Sequence, residues 1–236
     1  MTASSVQNGA RQRRLYGRRR GRALRKGQRV LIENTLPALR FSLPDDGKLE
    51  PRALFSSSVD VDEVWLEIGF GGGEHLIFQA ESRPRCGIIG SEVFEPGIVK
   101  LLSDVQDRHL ANVRLFVDDA RVLAAALAPR SIDRVFILFP DPWPKERHKK
   151  RRIVVTETLD DLAVAMADGA ELRIATDDPD YAQWIEERAG VHPDFELAPM
   201  ADRPADWPPT RYEKKALLQG RKARLFCYRR RARLPA

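Results

Sequence analysis

The chain has 236 residues, 43% of them hydrophobic and 31% charged, and a formal net charge of +6, as expected of one mid-sized α/β domain with a substantial core and room for an extra arm. No stretch reaches the ~18 uninterrupted apolar residues of a bilayer span, and the basic N-terminus lacks the apolar segment of a secretory signal, so a cytoplasmic protein without a membrane partner is expected. The positive charge is clustered: ten Arg and Lys residues between positions 11 and 29, a knot of Lys145, Arg147, Lys149, Lys150, Arg151 and Arg152, and a tail with Arg229, Arg230, Arg231 and Arg233. The tail reads as a solvated face, whereas the first two clusters flank a small-molecule site and read as a nucleic-acid surface.

Residues 1–29 are polar, Arg-rich and poor in large apolar side chains, which predicts an RNA-binding arm that stays mobile until an anionic partner orders it. Residues 30–36, stopped by Pro37, predict a short helix or docking strap, and residues 44–60 a loop; together, 30–60 form a docking segment ahead of a domain over 61–236. Within that domain strands are predicted at 64–68, 86–89, 113–117, 135–139, 171–175 and 222–228. Helices are predicted from the glycine loop to about residue 82 and at 96–107, 121–127, 156–167 and 181–189, with a proline-broken basic loop at 140–152. Such alternation predicts a doubly wound, parallel sheet with helices on both faces. Cys86 and Cys227 lie in strand-like runs without metal-ligand spacing, and the four histidines (His75, His109, His148, His192) are scattered, so free thiols and no metal site are expected.

In an open α/β sheet, ligands bind beyond the carboxyl ends of the strands. The first predicted strand ends on Glu67, Gly69 and Gly71, the second on Ser91-Glu92 and the third on Asp118-Asp119. A glycine loop alone is a tight turn before a helix, or the mark of a dinucleotide fold. Glu67 tips the balance: a carboxylate there repels a diphosphate but suits a ligand bearing an ammonium and a sulfonium, such as S-adenosylmethionine. Glu92 can then accept from both ribose hydroxyls and Asp119 from the adenine amino group.

After the fourth predicted strand comes Phe139-Pro140-Asp141-Pro142-Trp143-Pro144, running into the basic knot. The prolines stiffen the backbone around Asp141, Trp143 offers a stacking face, and the knot can hold phosphates. With these pieces in place the chain resembles the bacterial tRNA guanine-N7 methyltransferases. The resemblance covers nearly the whole chain. It is carried by Tyr16 to Arg22 in the arm, Leu66-Glu67-Ile68-Gly69-Phe70-Gly71, Ser91-Glu92-Val93, Asp119-Ala120, the proline–tryptophan loop with Arg147 to Arg152, Ala175-Thr176-Asp177 and Thr210-Arg211-Tyr212-Glu213. Gly72 stands where relatives often carry a larger residue.

The resemblance implies the Rossmann-like fold of class I S-adenosylmethionine-dependent methyltransferases, with a mostly parallel sheet, and methyl transfer to guanine N7 in tRNA, at the variable-loop guanosine. It implies cofactor contacts at Glu67, Glu92, Asp119 and Asp141, substrate contacts at Lys145, Asp177, Thr210, Arg211, Tyr212 and Glu213, and RNA contacts at Arg147, His148, Lys149, Lys150, Arg151 and Arg152. N7 carries a lone pair and no proton, so Asp141 is expected to orient and stabilise charge rather than deprotonate. Asp177 and Glu213 are candidates for the N1–H and N2–H edge of guanine, against the bland reading of Glu213 as an exposed helix charge. Two rivals remain: an exocyclic-amine methyltransferase on DNA or rRNA, whose loop usually has paired prolines, and a non-catalytic RNA-binding module on the same fold.

Overall fold

Pro37 splits the first helical stretch in two. α1 (Lys26–Asn34) stops before it, and α2 (Leu36–Leu39) holds it in the first turn, where a missing N–H costs nothing. A 3-10 turn, Pro51–Phe55, follows and buries Phe55 completely. The computed structural model describes residues 17, 19–45, 47–200 and 202–233. Arg11, Arg13, Arg14, Tyr16 and Arg18 of the arm lie outside the described residues.

The strand–helix alternation then runs β1 (Glu63–Ile68), α3 (Glu74–Ser82), β2 (Cys86–Ser91), α4 (Glu95–Asp107), β3 (Val113–Phe116), α5 (Ala120–Ala126) and β4 (Ile132–Leu138). After a 3-10 turn at Glu146–Arg151 come α6 (Thr156–Ala165), β5 (Met166–Thr176), α7 (Pro179–Ala189), β6 (Phe195–Leu197), α8 (Arg211–Leu218) and β7 (Arg224–Arg230). The sheet order is β3-β2-β1-β4-β5-β7-β6, parallel except where β7 pairs antiparallel with β5 and β6. The order reverses between β1 and β4, which opens a crevice at their carboxyl ends.

The strands alternate between two cores, as a sheet covered on both faces requires. Val64, Leu66 and Ile68 of β1 and Val135 and Ile137 of β4 face one core, shared with Leu123 of α5, Leu162 of α6 and Ile185 of α7. Trp65, Phe136 and Leu138 face the other, with Leu76 of α3, Leu101 of α4 and Leu36 and Leu39 of α2. α1 packs on α4, and Phe41 N–H donates to Leu115 O, so residues 26–41 strap one edge of the sheet.

Residues 19–21 already lie against this fold: Glu95 N–H donates to Arg19 O at 2.9 Å, and Gly21 sits on Pro96 so closely that a Cβ would come within 2.5 Å. Cys86 and Cys227 are both buried and unbridged, and burial pushes both thiols up from their ordinary range. No described helix is long and apolar enough to cross a membrane.

Candidate active site

Beyond the carboxyl ends of β1, β2, β3 and β4 lie two cavities of about 540 and 470 Å3, both bordered by Gly69, Gly71, Phe94, Phe139 and Tyr212. The first is lined by Glu92, Asp119 and Asp141, and the second by Glu67, Thr210, Arg211 and Tyr212. The strand-end acids and the start of α8 therefore meet around one crevice. Gly17 also reaches the first cavity, which brings the described end of the basic arm to its rim.

The glycine loop is shaped by backbone conformation rather than crowding. Gly69 and Gly71 have φ of 71° and 55°, a region that disfavours a Cβ, although one would meet nothing within 4 Å at either position. At Gly72 a Cβ would meet the Glu74 carboxylate, the far end of a flexible side chain, so a larger residue is compatible with the loop.

Glu92 holds this loop. Its carboxylate accepts from Gly71 N–H at 2.9 Å, Val93 N–H at 2.7 Å and Phe94 N–H at 2.9 Å. Three of about four acceptor positions are thus engaged, leaving room for one ribose hydroxyl rather than the two expected. Asp119 caps α5 through Arg121 N–H at 3.0 Å and also takes the Arg121 guanidinium, at 2.6 Å. Arg121 was not foreseen as a lining residue; its position two residues after a strand-end acid, in the first turn of α5, is the signal that could have found it.

Glu67 is almost fully buried and pairs with His75 Nδ1 at 2.7 Å. His75 in turn meets Gln79, which donates to the Asp206 carbonyl at 2.5 Å. The histidines are therefore not all isolated: this one sits on the first turn of α3 and faces the end of β1. Among the described residues no group of three or more His, Cys, Asp and Glu side chains could hold a metal ion.

Asp141 is an exposed carboxylate on the wall of the first cavity. The loop around it bends through Phe139 (φ 52°) and Trp143 (φ 45°), two bulky residues in the left-handed region, the strained kind of backbone that clusters at active sites. Lys145 is exposed at the start of the Glu146–Arg151 turn, and lines neither cavity. Thr210 caps α8 by accepting from Glu213 N–H at 3.1 Å. Tyr212 lies over Phe139, ring centroids 5.3 Å apart, on the wall between the cavities. Asp177 and Glu213 line neither cavity and are occupied: Asp177 pairs with Arg221, and both oxygens of Glu213 take the fork of Arg203.

The basic knot divides. Arg147 and Lys150 are exposed, and Lys149 pairs with Asp180 at 2.9 Å and Glu146 at 3.0 Å. His148 and Arg151 pack on Trp143, the guanidinium 4.9 Å from the ring centre. Neighbouring cations and partial desolvation hold the His148 imidazole below its ordinary range, desolvation being the largest cause. Arg152 departs from the expected phosphate contact, because its side chain is 0% exposed.

Carboxylates at successive strand ends around a glycine cradle, on a sheet reversing between β1 and β4, define a methyltransferase of the class I S-adenosylmethionine-dependent fold. The fold is shared with the 16S rRNA methyltransferase KamB (TM-score 0.59, 15% identity, 81% of this chain and 96% of that one) and the aminoglycoside-resistance methyltransferase NpmB1 (0.53, 16%, 80% and 95%). A family model described as "Putative methyltransferase" matches residues 62–225. The chain is 52% identical to the tRNA (guanine-N(7)-)-methyltransferase of Paramagnetospirillum magneticum, over 93% of this chain and 94% of that one, and 46% identical to that of Rhodospirillum rubrum, over 93% and 89%. It belongs to the tRNA (guanine-N(7)-)-methyltransferase family.

Proposed function

We propose that the chain transfers a methyl group from S-adenosylmethionine to N7 of a tRNA guanosine, the one in the variable loop, in the cytoplasm. The observation that carries this reading is the convergence of Glu67, Glu92, Asp119 and Asp141 on adjoining cavities beside the segment Thr210–Tyr212. The donor set fits the cofactor: acceptors for hydroxyls and an amine line the first cavity, and the buried Glu67 carboxylate meets a cationic group in the second. When bound, S-adenosylmethionine supplies an electrophilic methyl group on a sulfonium.

The chain's residues then have to align and neutralise, because the nucleophile N7 carries no proton. Glu92 and Asp119 hold the nucleoside end, and Glu67 faces the cationic end. Asp141, on its bent loop, orients the reactants and faces the positive charge that the purine gains. Glu213 is a candidate for reading the N1–H and N2–H edge of guanine, a contact for which its carboxylate has to exchange the Arg203 fork for the base. Asp177 is the other candidate for that edge and has to release Arg221 to reach it. Lys145, Arg147, Lys149 and Lys150, with the basic arm, take the phosphates.

The test is a pair of tRNA transcripts offered with labelled cofactor, one unaltered and one with adenosine in place of the variable-loop guanosine. Label enters the first and not the second. Equal labelling of both would place the target elsewhere.

A further inference from the structure

The basic run at 145–152 contains one cation that water and phosphate do not reach. Arg152 is 0% exposed, and a guanidinium taken out of water is strongly unfavourable unless it is paired. Its pairing is specific. Nε donates to the carbonyl of Pro142 at 2.7 Å, and Nη2 pairs with Asp180 on the first turn of α7. The guanidinium carbon stands 4.7 Å from the ring centre of Tyr181 and 4.8 Å from that of Trp184. Nη1 has no hydrogen-bond acceptor among the described residues, so Nε, Nη2 and the two rings set its position.

The socket is itself fixed. Tyr181 is fully buried and its hydroxyl accepts from Val154 N–H at 3.3 Å, while Trp184 Nε1 donates to Val154 O at 2.6 Å. The Arg152 hydrogen bond and then that of Lys149 hold the Asp180 carboxyl below its ordinary range, so the pair stays ionised at neutral pH.

At its other end Arg152 grips the peptide between Asp141 and Trp143, inside the stretch flanked by the left-handed residues Phe139 and Trp143. Such conformations are strained and persist only where the surroundings over-determine them. A buried, forked cation tied to a rigid helix is a device of that kind.

We propose that Arg152 is a positioning residue of the Asp141 loop, locking Pro142 to α7, and not a phosphate contact. The proposal rests on the reading of this crevice as a methyl-transfer site. Arg152 touches neither tRNA nor cofactor; it acts through the placement of Asp141 and Trp143.

The experiment compares the full-length wild type with Arg152→Lys, Arg152→Gln, Asp180→Asn and Lys150→Ala. It reads the salt dependence of tRNA binding, the saturating single-turnover rate, and amide hydrogen exchange of residues 139–145. Arg152→Gln is expected to slow methyl transfer by about ten- to a hundredfold, the scale of a misplaced reacting group, and to speed exchange in the loop about tenfold or more. Arg152→Lys, which keeps the charge but not the fork, regains part of both. The slope of log K against log salt stays at the wild-type value for the Arg152 variants and falls by about one for Lys150→Ala. A slope lowered by about one in the Arg152 variants, with loop exchange unchanged, would make Arg152 a phosphate contact and overturn the proposal.

Should the Arg152 variants not fold, Asp180→Asn carries the test, since it alters only the half-exposed partner: faster loop exchange at an unchanged salt slope supports the lock, and unchanged exchange overturns it. A wild type that moves no methyl group to tRNA would remove the functional reading. The exchange measurement would still decide whether Arg152 holds the loop.

Discussion

His75 Nδ1 lies 2.7 Å from a carboxylate oxygen of Glu67, and only 2% and 4% of the two side chains are exposed. The next bonds fix the proton between them. Gln79 Nε2 reaches both His75 Nε2, at 3.0 Å, and the carbonyl of Asp206, at 2.5 Å. A carbonyl only accepts, so the Gln79 amide nitrogen faces it and donates to both partners. His75 Nε2 therefore accepts, and the ring carries its proton on Nδ1, aimed at Glu67. One hydrogen-bonded chain runs from Glu67 to the backbone just ahead of the segment that bears Thr210.

His75→Phe keeps a ring against Phe136, now 4.5 Å away between ring centres, and removes the donor to Glu67. Loss of one charge-assisted hydrogen bond to a buried carboxylate is worth about 1.5–3 kcal/mol, so cofactor binding should weaken about ten- to a hundredfold. Calorimetry on the folded variant measures it. Unchanged affinity would show that Glu67 is oriented without His75.

Much of this was legible in the sequence because two periodicities dominate it. The apolar runs of β1 to β4 and the strand-end acids are local signals, and each predicted strand from 64–68 to 222–228 has its counterpart. β6 was not: it is three residues at the sheet edge with only Phe195 buried. α8 was foreseen only as an alternative, since its one buried residue is Ala216 and its pattern is polar. The site's ion pairs were hidden for another reason. Glu213 with Arg203 and Asp177 with Arg221 depend on how the chain folds back, and Arg152 looks like its solvated neighbours until its burial is seen.

Asp141→Asn keeps size and an acceptor oxygen but removes the charge. The saturating single-turnover rate should fall by roughly a hundredfold, the scale of losing one preorganised electrostatic group, with tRNA affinity nearly unchanged. Because N7 has no proton to lose, the wild-type rate should rise far less than tenfold per pH unit between about pH 6 and 8. A mutant at full speed would remove Asp141 from the reaction, and a tenfold rise per unit would make it a base.

Within the basic knot the exposed and the paired cations should differ. Arg147→Ala should lower the salt slope of tRNA binding by about one unit or somewhat less. Lys149→Ala should lower it less, because Lys149 already serves Asp180 and Glu146, at 2.9 and 3.0 Å. Equal slopes for wild type and Arg147→Ala would mean that the RNA lies on another face.

Asp206 ties the segment leading to α8 onto the sheet through Arg134 and Arg173, both at 2.8 Å. Burial alone would raise its carboxyl, but the bonds and charges of Arg173 and Arg134 outweigh it and hold it below the ordinary range. A depressed carboxyl stabilises the fold above its unfolded value near about pH 3.9, and that stability is lost as pH falls through the folded value. Asp206→Asn should therefore cost about 1–2 kcal/mol at neutral pH, between an exposed and a buried pair, because the Asp206 carboxylate is partly exposed. Glu171, facing Arg173 at 2.7 Å, limits the loss further. The difference should shrink below about pH 3.9 in urea unfolding; a gap constant with pH would assign Asp206 a packing role.

The atom that receives the methyl group decides between N7 alignment and its rivals. Wild-type protein, S-adenosylmethionine and an unmodified tRNA transcript are incubated together, and the tRNA is digested to nucleosides and resolved by mass spectrometry against authentic standards. Methyl transfer through N7 alignment predicts N7-methylguanosine as the product, in an amount approaching one per tRNA. Methylation on an exocyclic amine, or none with folded protein and bound cofactor, would contradict it.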